Sequence, residues 1–281
     1  MILMTHLPRI TIIMPSYNQA TYLEEAICSV LDQNYPNLEF MILDGGSTDG
    51  SAAIIERYAN RLTYWYSRPD KGQTDALIHG FARATGDLMG WVNSDDVLLP
   101  GCLDKIAQLY KAHPTAGLFG GNYILIDSRG KIIRCRRHPD NPEWFARLGL
   151  FFVNQPGSFF KRDDYEAVGG LHKDLNYFMD NDLYVRMMIN CTKFAYINAY
   201  LSGFRIHSDA KTVSQIQQAH DEGKRARKLY WPRRISRLRT VGKVIYFSFQ
   251  TLNGNFIRVI FDTIQARDHY WSEWVGTIAK K

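Results

Sequence analysis

Nowhere in the 281 residues do eighteen consecutive apolar side chains occur, so no membrane-spanning helix is expected. Cysteine is scarce: Cys28, Cys102, Cys135 and Cys191 lie far apart and form no CxxC pair. That argues against a zinc-ligating or disulfide framework and fits a reducing, cytoplasmic setting. The stretch from Met1 to Arg9 is too short and too polar for a secretory signal. Internal repeats and low-complexity tracts are absent. No GxGxxG follows the first strand-like run, which argues against a dehydrogenase. Acidic residues are missing from one region: Gly223 to Phe261 contains ten Lys or Arg and no Asp or Glu. Removing those ten from the net charge of +6 leaves the rest of the chain at −4. The body is therefore mildly acidic and its tail basic, and basic tails seek phosphate in lipid headgroups or nucleic acid.

What is present is an ordinary globular balance, 46% hydrophobic and 22% charged. The length suits one large domain with an appendage. Strand-like and helix-like segments alternate through the first hundred residues. Ile10–Met14 reads as a strand, and Thr21 with Glu24 as a capping box opening a helix through Leu23, Ala26, Ile27, Val30 and Leu31. Phe40–Leu43, Leu62–Tyr66 and Leu88–Val92 read as further buried strands. Helices are expected through Ile54, Ile55 and Tyr58 and over Thr74–Ala84. This order predicts an α/β fold with a mainly parallel sheet flanked by helices. Later, Phe119–Ile126 and Lys131–Cys135 read as a hairpin, Gln155–Lys161 as a strand and Arg162–Val168 as a short helix. A helix is expected from Asp182, strands over Phe194–Ile197 and Phe204–Ile206, and a basic helical segment from Gln215. A boundary near Ser208 divides a domain of residues 1–208 from a segment of residues 209–281.

Ligands of such sheets bind beyond the carboxyl ends of the strands. Three polar clusters fall there: Ser16-Tyr17-Asn18, Asp44 to Asp49, and Asn93-Ser94-Asp95-Asp96. Adjacent carboxylates Asp95 and Asp96 are costly together unless a cation neutralises them. Mg²⁺ or Mn²⁺ bridging diphosphate oxygens would do so. An isolated Asp-Asp reads more readily as a turn with a helix cap; the two other polar strand ends beside it reverse that preference in favour of the ion.

The segments Ile12-Ile13-Met14-Pro15-Ser16-Tyr17-Asn18 and Leu43-Asp44-Gly45-Gly46-Ser47-Thr48-Asp49-Gly50 resemble the first two motifs of the family 2 glycosyltransferases. Gly86-Asp87 leading to Asn93-Ser94-Asp95-Asp96 is similar to the family's DxD segment. Asn154-Gln155-Pro156-Gly157-Ser158-Phe159-Phe160, Val168-Gly169-Gly170 and Met179-Asp180-Asn181-Asp182-Leu183 resemble its acceptor-side motifs. The likeness runs in order from Ile10 to about Thr212. It implies the GT-A nucleotide-binding fold and inverting sugar transfer from a nucleotide sugar to a saccharide or lipid-linked acceptor hydroxyl. Carried over by position, it makes Asp96 the metal ligand with His207 nearby, for Mn²⁺ or Mg²⁺. Pro15, Ser16, Tyr17, Asp44 and Asp95 would line the donor pocket, and Asp180 would be the general base, with Asp182 structural. Lys71, in the loop Ser67–Gln73, is a further candidate for the donor phosphates. Taken alone, His207 reads as a packed or solvated histidine, Lys71 as a solvated cation, and Asp180 and Asp182 as helix caps.

Two departures from the family pattern stand out. Many members carry an aspartate where this chain has Gly45, and that residue often reads uracil, so UDP, GDP and dTDP donors all stay open. A late Gln-x-x-Arg-Trp sequence of processive polymerases is absent, which favours single addition. Two rivals are weighed. A sugar-1-phosphate nucleotidyltransferase would open with a Gly-rich phosphate loop, and Met14–Ala20 has no glycine. A nucleic-acid-binding protein could use the basic tail with Tyr230, Trp231, Tyr246 and Phe247, but the acidic body would repel a phosphate backbone. The tail's Arg233, Arg234, Arg237, Arg239 and Lys243 sit beside Ile235, Leu238, Val244 and Ile245. That mixture suits an anionic membrane surface and equally a solvated basic helix packed on the domain. The family resemblance, with acceptors that are often lipid-linked, implies the inner face of the plasma membrane and cell-surface polysaccharide or glycolipid synthesis.

Overall fold

The structure, a computed structural model, describes residues 7–138, 153, 155–190, 192–208, 210, 216–230, 248, 251, 254–267 and 269–278. Strand β1 (Ile10–Ser16) is buried along its whole length, as an apolar run covered on both faces should be. It pairs in parallel with β2 (Leu38–Asp44) and β4 (Leu88–Trp91), and β3 (Tyr64–Ser67) extends the sheet in parallel beyond β2. Successive β1 residues face opposite ways. Ile10, Ile12 and Met14 join a core with α1 (Ala20–Leu31), α2 (Ser51–Arg57) and α4 (Cys102–Ala112). Ile13 joins Met41 and Leu43 on the other face, against α3 (Gln73–Phe81) and α6 (Met179–Ile189). The α3 helix lies so close that a Cβ at Gly80 would come 2.7 Å from Cγ2 of Ile13.

Beyond β4 the direction changes. Strand β8 (Ser158–Lys161) runs antiparallel to both β4 and β6 (Ala116–Ile126), and α5 (Arg162–Ala167) follows it. Strand β9 (Lys193–Arg205) is parallel to β6 and antiparallel to the short β5 (Val97–Leu98). The order is β3-β2-β1-β4-β8-β6-β9-β5, with β7 (Ile132–Arg136) completing the expected hairpin on β6. The sheet is thus mixed, and the first hundred residues supply the parallel half that carries the polar strand ends.

Two local expectations are corrected. The separate strands expected at 194–197 and 204–206 are one strand, β9, whose register shifts against β6 near Gly121 and Asn122. Thr21 caps nothing, because α1 begins after Gln19. Its free N–H groups are met from the neighbouring loop instead: Ala20 N–H donates to Asp49 Oδ2 (2.9 Å) and Gln19 N–H to Ser51 Oγ (3.2 Å). Glu24 turns away to pair with Arg57 at 2.8 Å.

The C-terminal segment contributes α7 (Ile216–Tyr230), α8 (Asn255–Ala266) and α9 (Trp271–Ile278). Ala266 and Trp274 complete a third apolar cluster with Ile124, Ile126 and Ile132. Asp262 pairs with Arg137 at 2.7 Å, and Thr263 Oγ1 accepts the Cys135 N–H. The basic and aromatic positions singled out between Trp231 and Phe247, and Asn154 of the acceptor-side motif, lie outside the described residues. Among the described residues no helix is long and apolar enough to cross a membrane.

Candidate active site

Register brings the polar strand ends together: Ser16 lies beside Asp44, and Asp44 beside Ser67. Beyond them opens a cavity of about 710 Å³, within the usual range for small-ligand sites. Pro15, Ser16 and Tyr17 line it from β1, Gly45 and Gly46 from β2, and Asp70, Gly72 and Gln73 from the approach to α3. Asn93, Ser94 and Asp95 line it after β4, and Asn176, Tyr177, Met179 and Asp180 at the start of α6. The cavity thus meets the first turns of α3 and α6, and helix N-termini favour anions.

The acidic pair is placed differently from the sequence expectation. Asp96, expected to face the ligand, is 1% exposed and does not line the cavity. Its Oδ1 accepts the Arg205 N–H at 2.9 Å and its Oδ2 accepts from Asn93 Nδ2 at 3.0 Å. Burial, with the adjacent Asp95 charge, pushes its pKa well above the usual carboxylate value. The turn closed by Asp96 N–H on Asn93 C=O (3.1 Å) sends one carboxylate inward and the other outward. Asp95 is the outward one, and Nε2 of His207 lies 3.1 Å from its Oδ2.

The residues fit a hard divalent cation. A carboxylate on the cavity wall stands beside a buried imidazole whose Nδ1 meets no hydrogen-bond partner among the described residues. Among the described residues no group of three or more His, Cys, Asp or Glu converges. Such an ion would draw its remaining ligands from substrate phosphates and water, as Mg²⁺ commonly does.

Asp180 lines the cavity from the first turn of α6. Its Oδ1 accepts from the N–H of Asn181 (2.7 Å) and from Asn181 Nδ2 (3.1 Å). Desolvation raises its pKa against those bonds, and the Glu222 carboxylate adds to the rise. Asp182 is buried in an ion pair, 2.6 Å from Arg186 and 3.2 Å from His172. Asp180 thereby meets one free N–H of the first turn of α6, whereas the Asp182 carboxylate turns to Arg186 and His172.

Two expected donor contacts are not in the cavity wall. Asp44 is 0% exposed, and its carboxylate is filled by the N–H groups of Gly46 and Ser47 and the hydroxyls of Ser47 and Ser67. It shapes the loop rather than facing a ligand. Lys71 is exposed and does not line the cavity. Its neighbour Asp70 does line it. A Cβ built on Gly45 would lie 3.1 Å from Oδ1 of Asp70, so this carboxylate occupies the space a side chain at 45 would take.

Sequence reasoning missed the braces. Arg205 is buried, donating to the Asp95 carbonyl at 2.8 Å and to Glu25 at 2.5 Å while lying over the Tyr22 ring. Gln73 donates to Asn93 Oδ1 at 2.7 Å, and Asn93 Nδ2 donates to Gln155 Oε1 at 3.2 Å. Gln155 in turn donates to the Trp91 carbonyl. Glu222 accepts the backbone N–H groups of Asn176, Tyr177 and Phe178. Nothing in the sequence distinguishes Glu222 from its polar neighbours Asp221 and Lys224, and its partner is not readable from spacing.

The family model described as Glycosyl transferase family 2 matches residues 11–179, more than half of the chain. An uncharacterized glycosyltransferase of Rickettsia bellii is 33% identical over 134 residues, 47% of this chain but 19% of that protein. The chain therefore spans only a small part of that relative's length. Among solved structures, TarS of S. aureus in complex with UDP-GlcNAc superposes with a TM-score of 0.63 at 16% identity, covering 92% of this chain and 81% of TarS. The mannosyltransferase PcManGT of Pyrobaculum calidifontis, in complex with GDP-Man and Mn²⁺, gives 0.56 at 18% identity, covering 92% and 88%. At these identities the two structures establish a shared fold.

Proposed function

Because the chain belongs to glycosyl transferase family 2, we propose that it transfers a sugar, with inversion, from a nucleoside-diphosphate sugar to an acceptor hydroxyl. The observation that carries this reading is the presence in one cavity of Asp95, backed by His207, and of Asp180 from a separate helix. Asp95 and His207 would hold a divalent cation; Asp96 supports them from behind through Arg205. The ion would offset negative charge on the departing diphosphate. Asp180 accepts the proton of the acceptor hydroxyl as its oxygen bonds to the anomeric carbon. The bond from that carbon to the diphosphate breaks, and the diphosphate leaves with the electron pair. A base whose pKa is raised by desolvation suits this proton transfer near neutral pH.

The donor's base is open between uracil, thymine and guanine, each with a ring N–H that a carboxylate can accept; TarS and PcManGT were solved with UDP-GlcNAc and GDP-Man. Asp70, filling the space beside Gly45, is our choice for that acceptor. A thermal-shift screen of UDP, dTDP, GDP, CDP and ADP with Mn²⁺ tests the reading. Stabilisation by one of the first three, rising with the logarithm of concentration, is expected. No shift with any of the five would sink the nucleotide-sugar reading.

For the acceptor we favour a saccharide or lipid-linked sugar made at the inner face of the plasma membrane, in surface polysaccharide or glycolipid synthesis. Helix α8 supports a membrane location. Asp262, Thr263 and Ala266 tie one face to the domain, while Phe256, Ile257, Ile260, Phe261 and Ile264 are 47–71% exposed on the other. An apolar helix face within a region rich in Arg and Lys suits an anionic bilayer surface. Flotation is expected with vesicles containing phosphatidylglycerol and not with phosphatidylcholine alone. A Phe256→Ser/Ile260→Ser/Ile264→Ser chain that melts like wild type should stay unbound. Equal flotation of that variant, or concentration-dependent dimerisation through the same face, would overturn the assignment.

A further inference from the structure

We infer that Glu222 is a positioning residue for the transfer reaction: from α7 it holds the backbone just ahead of Asp180 and so fixes where that carboxylate stands. The inference rests on the reading of Asp180 as the base. Glu222 is 5% exposed, although α7 is otherwise polar and largely exposed where described. Both its oxygens lie 3.0 Å from the Asn176 nitrogen, and Oε1 also accepts from Tyr177 at 2.8 Å and Phe178 at 2.7 Å. Three consecutive N–H groups converging on one carboxylate form an anion nest, placed at the N-terminus of α6 where negative charge is favoured. Asn176, Tyr177, Met179 and Asp180 all line the cavity, so the clasped backbone is itself cavity wall.

The clasp is tied down at both ends. Thr74 Oγ1, in the first turn of α3, donates to the Leu175 carbonyl at 2.5 Å. The Tyr177 hydroxyl meets Gln218, one turn before Glu222 on α7, at 3.1 Å. The loop is thus held between the donor-side helix and a C-terminal helix outside the region the family model covers. A carboxylate accepting from backbone N–H groups makes stronger hydrogen bonds than a neutral acceptor would. Its charge also faces Asp180. The other titratable groups lining the cavity are Tyr17, Asp70, Asp95 and Tyr177, and Tyr184 lies within electrostatic reach on α6 itself.

Two substitutions separate geometry from charge. Glu222→Ala removes the clasp, whereas Glu222→Gln keeps one accepting oxygen for the three N–H groups, turns the second into an amide and removes the charge. Turnover is read as UDP released from UDP-GlcNAc and GDP from GDP-mannose, using the full chain with Mn²⁺ and normalising to folded protein. Glu222→Ala is expected to lower kcat about 10–100-fold with little change in donor KM, since misplacing a reacting group by 1 Å costs ~10²-fold. Glu222→Gln should restore most of kcat. Because Asp180 must be ionised to act and Glu222 raises its pKa, the acid limb of the pH profile should move to lower pH in Glu222→Gln. Independently of any donor, NMR titration of carboxyl-labelled aspartates should show the Asp180 resonance, assigned with Asp180→Asn, moving the same way. A lowered melting temperature with unchanged kcat per folded molecule would reduce Glu222 to a structural cap. An unmoved Asp180 titration in Glu222→Gln would overturn the inference as well. Full activity of Asp180→Asn would instead overturn the base itself.

Discussion

Asp180→Asn is expected to lower kcat by ~10²–10⁴-fold while leaving nucleotide binding in the presence of metal near wild type. The amide preserves the side chain's shape and can still accept from Asn181, whose N–H and Nδ2 both approach Oδ1 in the native site. What it cannot do is take a proton from the acceptor hydroxyl. Asp182 serves as the internal control. Its carboxylate is committed to Arg186 and His172, so Asp182→Asn should weaken a buried ion pair and cost stability by about 3–5 kcal/mol before it touches chemistry. Steady-state kinetics beside thermal melts separate the two. A fast Asp180→Asn together with a slow, fully folded Asp182→Asn would reverse the roles.

Asp95→Asn should abolish the response of nucleotide binding to Mn²⁺ and reduce turnover by ~10²-fold or more, a metal Lewis acid being worth several kcal/mol. Asp96→Asn is the informative comparison. An asparagine there keeps an oxygen for the Arg205 N–H but presents an amide to Asn93 Nδ2, where the native carboxylate accepts. Leaving one buried donor without a partner costs about 1–3 kcal/mol of stability, with the metal response retained. Chelator should silence the wild-type enzyme, and added Mn²⁺ or Mg²⁺ should restore it. If Asp96→Asn loses the metal response while Asp95→Asn keeps it, the outward and inward carboxylates have been exchanged. Full activity in excess chelator would remove the metal from the reaction altogether.

The parallel half of the sheet was legible because each strand is a short buried run that ends at polar or glycine residues. Ile10–Met14, Phe40–Leu43 and Leu88–Val92 all lie within two residues of the observed strands. The gathering of Ser16, Asp44 and Asn93 to Asp96 at one end followed from topology alone. What could not be read was which way each side chain turns. Asp44 and Asp96 look like ligands in the sequence, yet both are consumed by loop hydrogen bonds. Nothing in the run Asn93-Ser94-Asp95-Asp96 reveals which carboxylate faces out, because that depends on a turn and on Arg205, which comes from β9. Strand β9 was expected as two pieces, and the gap between them includes the polar Asn198, whose side-chain oxygen is met by Asn122 on β6 and by Arg137. The start of α1 was misread for a similar reason: its N–H groups are served by Asp49 and Ser51, beyond the reach of any local motif. Helix α4 was not assigned at all, although Leu103, Ile106, Ala107 and Leu109 carry a helical spacing.

The bond between Glu222 and the backbone at Asn176–Phe178 has a consequence for the order in which the molecule is made. Ribosomes deliver the strand ends, the cavity wall from β1 to β4 and the Asp180 segment itself well before α7 leaves the exit tunnel. A nascent chain halted at residue 210 would already own the acidic pair and His207. It would lack the carboxylate that accepts from three adjacent N–H groups just ahead of Asp180. On the proposed reading, full transfer rate is therefore expected only once α7 has emerged from the ribosome and Glu222 has closed on Asn176–Phe178.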